Sequence, residues 1–296
     1  MKAGENQLRS KFRALTDDAA TGLAILSTVV VVAPLVAIFV YLLYKGASSV
    51  NLDFFIKVPK PEGEAGGGMA NAILGSGILL ALASAIGVPI GIGGGIFLAE
   101  FGRGTKLANA VRFTADVLNG VPSIVMGVAI YGLVVRPHGS FMPFSGHFSA
   151  FSGGVALGIM MIPTVCRTTE EMLLMVPNAV REAALALGVP NWRSVLSITV
   201  RTASPGIITG CMLAFARVAG ETAPLIFTAL GNSFWSASLD RPIAALPLQI
   251  YVYALSPYED QHRLAWAGAL VLIVLIVAAV SLVRYVTSRG VLKGAS

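Results

Sequence analysis

Charge is what this chain has least of. Only 12% of its 296 residues are Asp, Glu, Lys or Arg, about half the share that a soluble domain carries. With 55% apolar residues, the chain cannot cover itself with a water-compatible surface, which excludes a soluble globular protein. Chemistry-bearing side chains are as scarce. There are two cysteines, Cys166 and Cys211, both in apolar surroundings, where a thiol is inert, so neither a disulfide nor a metal site is expected. The three histidines, His138, His147 and His262, have no ligand-like spacing. No G-x-x-x-x-G-K-[ST] loop, no H-E-x-x-H and no Ser–His–Asp set is present. The Gly-rich run after Pro89 lies inside an apolar segment with no strand before it. Nothing marks an enzyme, and any uphill work must draw on a partner or an ion gradient.

What the chain does have is long apolar runs. A membrane span needs about 20 mostly apolar residues. Residues 23–44, 70–99, 117–135, 148–166 and 264–283 fit, as does 203–230, which contains Arg217 and Glu221. The runs lack the alternation of barrel strands, so the expected fold class is all-α: a polytopic membrane protein with about six transmembrane helices. The first run follows about 20 polar residues and is longer than a signal-peptide core, so it is read as an uncleaved span. The basic residues set the orientation. With six spans, the tails and the second and fourth loops carry fourteen Lys and Arg, the other side six. Both termini are therefore expected in the cytoplasm, and the basic balance reports topology rather than nucleic-acid binding. The layout is a tail (1–22), a first helix (23–44), a transmembrane domain (70–285) with a polar insert (177–201), and a tail (286–296).

Within the spans, Gly91 and Gly95 have the small-xxx-small spacing that lets helices approach closely; packing and a hinge beside a gate both fit. Asp116, Asn119, Gly120 and Pro122 open the third run and serve either as a helix cap or as the lining of a path. In the outer loop 232–263, "LPLQIYVYALSP" is too short to span and suits the membrane interface, where its tyrosines are at ease.

The polar insert, within the 35 or so cytoplasmic residues from Arg167, is the feature that apolar packing does not explain. "EAALALGVPNWRSVL" (182–196) contains two helical stretches broken at Gly188 and Pro190, a stop and a start signal. Val180, Ala184 and Leu187 line one side of the first. Trp192, Val195, Leu196 and Thr199 follow helical spacing in the second. Such helices rest on a bilayer or enter a groove on a soluble partner.

Glu182-Ala183-Ala184, Gly188 and Ile198 resemble, with its fixed spacing, the EAA-x3-G-x9-I-x-L-P loop of importer permeases of the ATP-binding-cassette class. Val200 replaces the motif's Leu and Arg201 its Pro, which weakens the break expected there. "ARVAGETAPLIFTALGN" (216–232), "NGVPSIVMG" (119–127), "PIGIGGGIFLAEF" (89–101) and "LPLQIY" (246–251) are similar to the phosphate permease family PstA. The resemblance runs from about residue 70 to the C-terminus. It implies the type I importer permease fold. Glu182, Ala183, Ala184, Gly188, Trp192 and Ile198 would form a coupling helix docked in the cleft of a separate ATPase. The implied partners are two PstB-like ATPase copies that use ATP and Mg, a homologous PstC-like permease, an extracytoplasmic PstS-like phosphate-binding protein, and the lipid bilayer of the plasma membrane. No cofactor is expected on this chain itself.

Arg217 and Glu221 stand four apart, one helical face if the span is continuous. A mid-bilayer charge costs roughly 2.5–3.5 kcal/mol on insertion scales, so each needs a partner or water. They are either a structural ion pair or part of a translocation path in which the guanidinium fork meets a passing oxyanion. Thr222, Asn119 and Ser123 complete the candidate path. The alternatives are the PstC-like sister subunit, a permease for another oxyanion, and a gradient-driven secondary transporter, against which stands the lack of an evident inverted repeat.

Overall fold

The computed structural model describes residues 2–64, 66–136 and 146–293, and these are mostly helical. His138 and the last three residues of the expected tail lie outside them. Among the described residues the only extended pairing is an isolated bridge between Leu230 and Ile243. Among these residues five helices are long and apolar enough to cross a membrane, six if the one bent pair is counted as a single span.

The first, α1 (Lys2–Ala47), packs on the rest only at its end. There Leu42 is buried and the Tyr41 ring stands edge-on to Trp266 at 5.3 Å. None of its apolar window is buried, as suits a helix whose other neighbours are lipid. A short α2 (Leu52–Ile56), capped by the Asn51 side chain, leads to α3 (Ala70–Ile96), which ends in a π-helical turn, Phe97–Phe101. The most buried span is α6 (Ala150–Leu174). It lies along α3 because glycines remove the side chains between them. A Cβ on Gly87, Gly91 or Gly95 would sit 2.5–2.7 Å from Gly158, Met161, Val165, Cys166 or Thr169. Packing at small residues is how helices associate where lipid removes the hydrophobic drive, so Gly91 and Gly95 are seam residues, and Gly87 extends the seam.

Between these two helices the expected span 117–135 is not straight. It is divided into α4 (Lys106–Gly120) and α5 (Ser123–Ile130), the latter prolonged by a π-turn, Tyr131–Val135. The two halves meet at 107°. Pro122 has no N–H, and it drives Val121 out of the helical region, to φ −69°, ψ 129°. Residues 123–135 rise about 20 Å, short of the ~30 Å apolar core.

After α6 come α7 (Asn178–Ala186), α8 (Asn191–Ser194), a π-turn Val195–Thr199, and α9 (Val200–Ala219). Residues 191–219 run as one helical rod, so no break replaces the motif proline at Arg201. The expected span 203–230 is corrected in its outer part: α9 stops at Ala219, and α10 (Ala223–Thr228) follows separately. Pro224 explains the stop, since its ring would meet the carbonyl of Gly220 four residues back. In the outer loop, α11 (Leu246–Ala254) packs on α12 (Glu259–Lys293). Tyr251 is exposed as expected for an interfacial segment, but Tyr253 is buried.

Candidate functional site

The insert projects from the end of the bundle where α6 finishes and α9 begins. α6 continues to Leu174, beyond the expected end of the span at 166, and the insert expected at 177–201 follows it. Its first helix closes on Gly188, whose φ of +77° suits only a residue without Cβ. The Gly188 N–H donates to the Leu185 carbonyl and the Val189 N–H to the Ala184 carbonyl. This pair of bonds satisfies the helix end and turns the chain into α8. Ala184 is buried, whereas Glu182, Ala183, Gly188 and Trp192 are exposed and Ile198 is half-buried. The second stretch does not present its apolar residues on one face. Val195 and Thr199 point inward, while Trp192 and Leu196 point out, because the π-turn shifts the register by a residue. Leu187 is 84% exposed and Trp192 61%, so the insert carries large uncovered apolar side chains at the tip of the bundle.

What holds the insert was not read from the sequence. Arg181 spends its whole guanidinium fan on it. Nε and Nη2 donate to Glu100 Oε1 at 3.2 and 2.8 Å, Nη2 to the Leu173 carbonyl at 2.7 Å, and Nη1 to the Val176 carbonyl and Asn178 Oδ1 at 2.5 and 3.2 Å. Glu100 lies in the π-turn after α3, its side chain only 7% exposed. Beside it, Arg112 of α4 and Arg167 of α6 both reach Glu170, at 2.7 and 3.1 Å, and Arg167 also pairs with Asp116 at 3.2 Å. Asp116 is therefore a partner of α6 and, inside α4, not a helix cap. The available signal was the set of charged residues at the ends of apolar runs, Glu100, Glu170 and Arg181, each of which needs an opposite charge.

The five path candidates fall at the bend between α9 and α10 and at the break between α4 and α5. In the antiparallel contact of α6 and α9, Gly206 faces Met172 and Gly210 faces Thr168. Continuing that register sets Arg217 level with Met161, near the middle of α6. Asn119 Oδ1 accepts from Thr164 at 3.3 Å, so Asn119 lies within a turn of the same depth. Ser123 starts α5 and is half-buried. The Thr222 hydroxyl donates to the Pro247 carbonyl at 3.4 Å. Arg217 and Glu221 are not on one helical face, because the helix ends between them, and among the described residues neither side chain makes an ion pair or hydrogen bond. Of the two readings of their spacing, an ion pair between Arg217 and Glu221 is not formed. Arg217 is exposed in this chain. At the opposite end from the insert, Ser238 donates to Asp240 and keeps that carboxyl below the ordinary carboxylate range.

Residues 91–290 match the model of the family described as "Binding-protein-dependent transport system inner membrane component". The chain is 49% identical over 235 residues to the phosphate transport system permease protein PstA of Xylella fastidiosa (strain Temecula1 / ATCC 700964), covering 79% of each. It is 46% identical to that of Yersinia pestis, covering 83% of this chain and 81% of the relative. For that of Haemophilus influenzae (strain ATCC 51907 / DSM 11121 / KW20 / Rd) the identity is 43%, over 91% and 92%. Among solved structures, an inward-facing MetNI methionine ABC transporter superposes with a TM-score of 0.53 at 20% identity, covering 77% of this chain and 97% of that one. An amino acid ABC transporter crystallised with histidines gives 0.52 at 19% identity, covering 73% and 92%.

Proposed function

This chain belongs to the family of binding-protein-dependent transport system inner membrane components, within it to the PstA phosphate permeases, and from that premise we propose that it is a membrane permease subunit of an ATP-driven importer of inorganic phosphate. It has the fold of type I importer permeases. The observation that carries the reading is the insert: a short helix pair with large apolar side chains uncovered, held by the Arg181–Glu100 ion pair to the end of one span and by hydrogen bonds of Arg181 to the end of another. That arrangement suits an outside motor that pushes on the membrane helices. The motor is a pair of PstB-like ATPase subunits, which bind ATP and Mg. Glu182, Ala183, Gly188 and Trp192 face them, and Ala184 and Ile198 fasten the insert from behind. Both termini then lie in the cytoplasm, as the basic residues argue.

A second, PstC-like permease covers the face of the chain on which Arg217 is exposed, and the path runs between the two. Arg217 offers the planar donor fork that fits phosphate oxygens. It lies at a broken helix near mid-depth, the position where transporters place substrate sites. Having no carboxylate partner among the described residues of its own chain leaves its charge for the passing anion. Glu221, Thr222, Asn119 and Ser123 line the same depth. A PstS-like binding protein delivers phosphate from outside, so the path needs no deep well and can release its cargo.

The test is uptake of radiolabelled phosphate by phosphate-starved cells with and without the gene, with sulfate and molybdate in excess as competitors. High-affinity uptake that is lost with the gene, restored by it and indifferent to the competitors is the expected result. Unchanged uptake in cells with no other phosphate system would overturn the substrate.

A further inference from the structure

We propose that Arg181 is the positioning residue of the coupling machinery: it makes the insert and the ends of α3 and α6 move as one body. The inference rests on the importer reading above. Three observations carry it. First, the five donors of this one side chain end on three different segments: Glu100 in the π-turn after α3, the Leu173 and Val176 carbonyls at the end of α6, and Asn178 at the start of α7 itself. The carbonyls at a helix end have no partner in the helix ladder; Arg181 supplies a donor to the Val176 carbonyl and a second one to the Leu173 carbonyl, which also accepts from the Val176 N–H. Second, Glu100 is buried, and no other cation is paired with it among the described residues. A displacement of α7 that left α3 behind would strand a carboxylate away from water. That makes the contact stiff in a way that apolar contacts, which slide, are not. Third, Glu100 lies in a π-helical turn, where the loosened ladder of the helix marks a bend point and often a functional one. The pull of the insert therefore enters α3 where it yields most readily, and passes to α6 along the glycine seam. Arginine is required, since a lysine supplies the charge without the planar fan that reaches three segments.

The experiment uses the complete complex, purified by a tag on this chain and reconstituted in vesicles with its binding protein. It reads inorganic phosphate moved per ATP hydrolysed. The variants are Arg181→Gln, Glu100→Gln, the two together, and Arg181→Lys. The expected result is normal recovery of the ATPase with every variant and continuing hydrolysis. The transport ratio falls at least fivefold in each neutral single variant and no further in the double. Arg181→Lys lies between wild type and Arg181→Gln. A wild-type ratio in both neutral single variants overturns the proposal. So does loss of the ATPase from the complex, which would make Arg181 a docking contact, and so does absence of all variants, the lysine one included, from the membrane, which would make it a folding residue. The wild-type arm judges the importer reading separately: a wild-type complex with no ATPase, or with no phosphate uptake, sinks that reading whatever the variants do.

Discussion

At the scale of single residues, space decides the role of glycine in this chain. Gly91 faces Val165 so closely that a Cβ would lie 2.6 Å from it, whereas Gly93, two positions on, has nothing within 4 Å. Overpacking a tight contact costs about 1–3 kcal/mol, while alanine in place of an open helical glycine gains up to about 1 kcal/mol. Gly91→Leu is therefore expected to lower the thermal midpoint of the detergent-purified chain by several degrees, and Gly93→Ala to leave it level or raise it. A fall of equal size in both would refute the seam. Arg217 is the residue-scale prediction for function. Arg217→Ala is expected to cut phosphate uptake more than tenfold, while the permease is made and assembled normally; Arg217→Lys retains part of it. Full uptake by a well-expressed alanine variant, measured in the same cells, would remove Arg217 from the path.

Elements are joined here by ion pairs at their ends and by small residues along their length. Glu170 shows the first. It is 3% exposed and receives one arginine from α4 and one from its own helix. Removing the shared carboxylate leaves Arg112 without an ion pair and Arg167 with Asp116 alone. For fully buried pairs such a loss costs 3–5 kcal/mol; both arginines here are about a third exposed, so about 2 kcal/mol is the better expectation. Glu170→Gln should lower the thermal midpoint and speed proteolysis within α4, which would come loose from α6. Proteolysis unchanged from wild type would show that α4 is held by its apolar contacts instead. Both broken elements, the α4–α5 bend and the α9–α10 step, have a proline at the break, Pro122 and Pro224. The first was legible as a kink or a start. The second went unread because the apolar run resumes at Leu225, so that the dip at Arg217 and Glu221 was taken as charge inside one span.

For the molecule as a whole, the uncovered surfaces define the assembly. The apolar flanks of α1 are long and uniform, as lipid requires. Those at the insert are few, large and set beside charge, as a protein partner requires. Replacing Leu187 and Trp192 by serine touches no buried contact, so the chain should keep its thermal midpoint, yet recover at least tenfold less ATPase when the complex is pulled down. Undiminished recovery would show that the motor docks elsewhere.

Much of this was settled by order of residues alone. Apolar runs a bilayer wide demand spans, because an unpaired peptide group in hydrocarbon is costly. The spacing of Glu182-Ala183-Ala184, Gly188 and Ile198 marked the insert, because stop and start signals are local chemistry. The side on which Arg217 is left exposed, the joining of Glu100 to Arg181 across 81 positions and the true end of α9 were decided by the tertiary structure. Charge pairing depends on which helix ends meet in space, and a one-residue π-turn at 195–199 is enough to rotate Leu196 outward and Val195 inward, with no change in hydropathy to announce it.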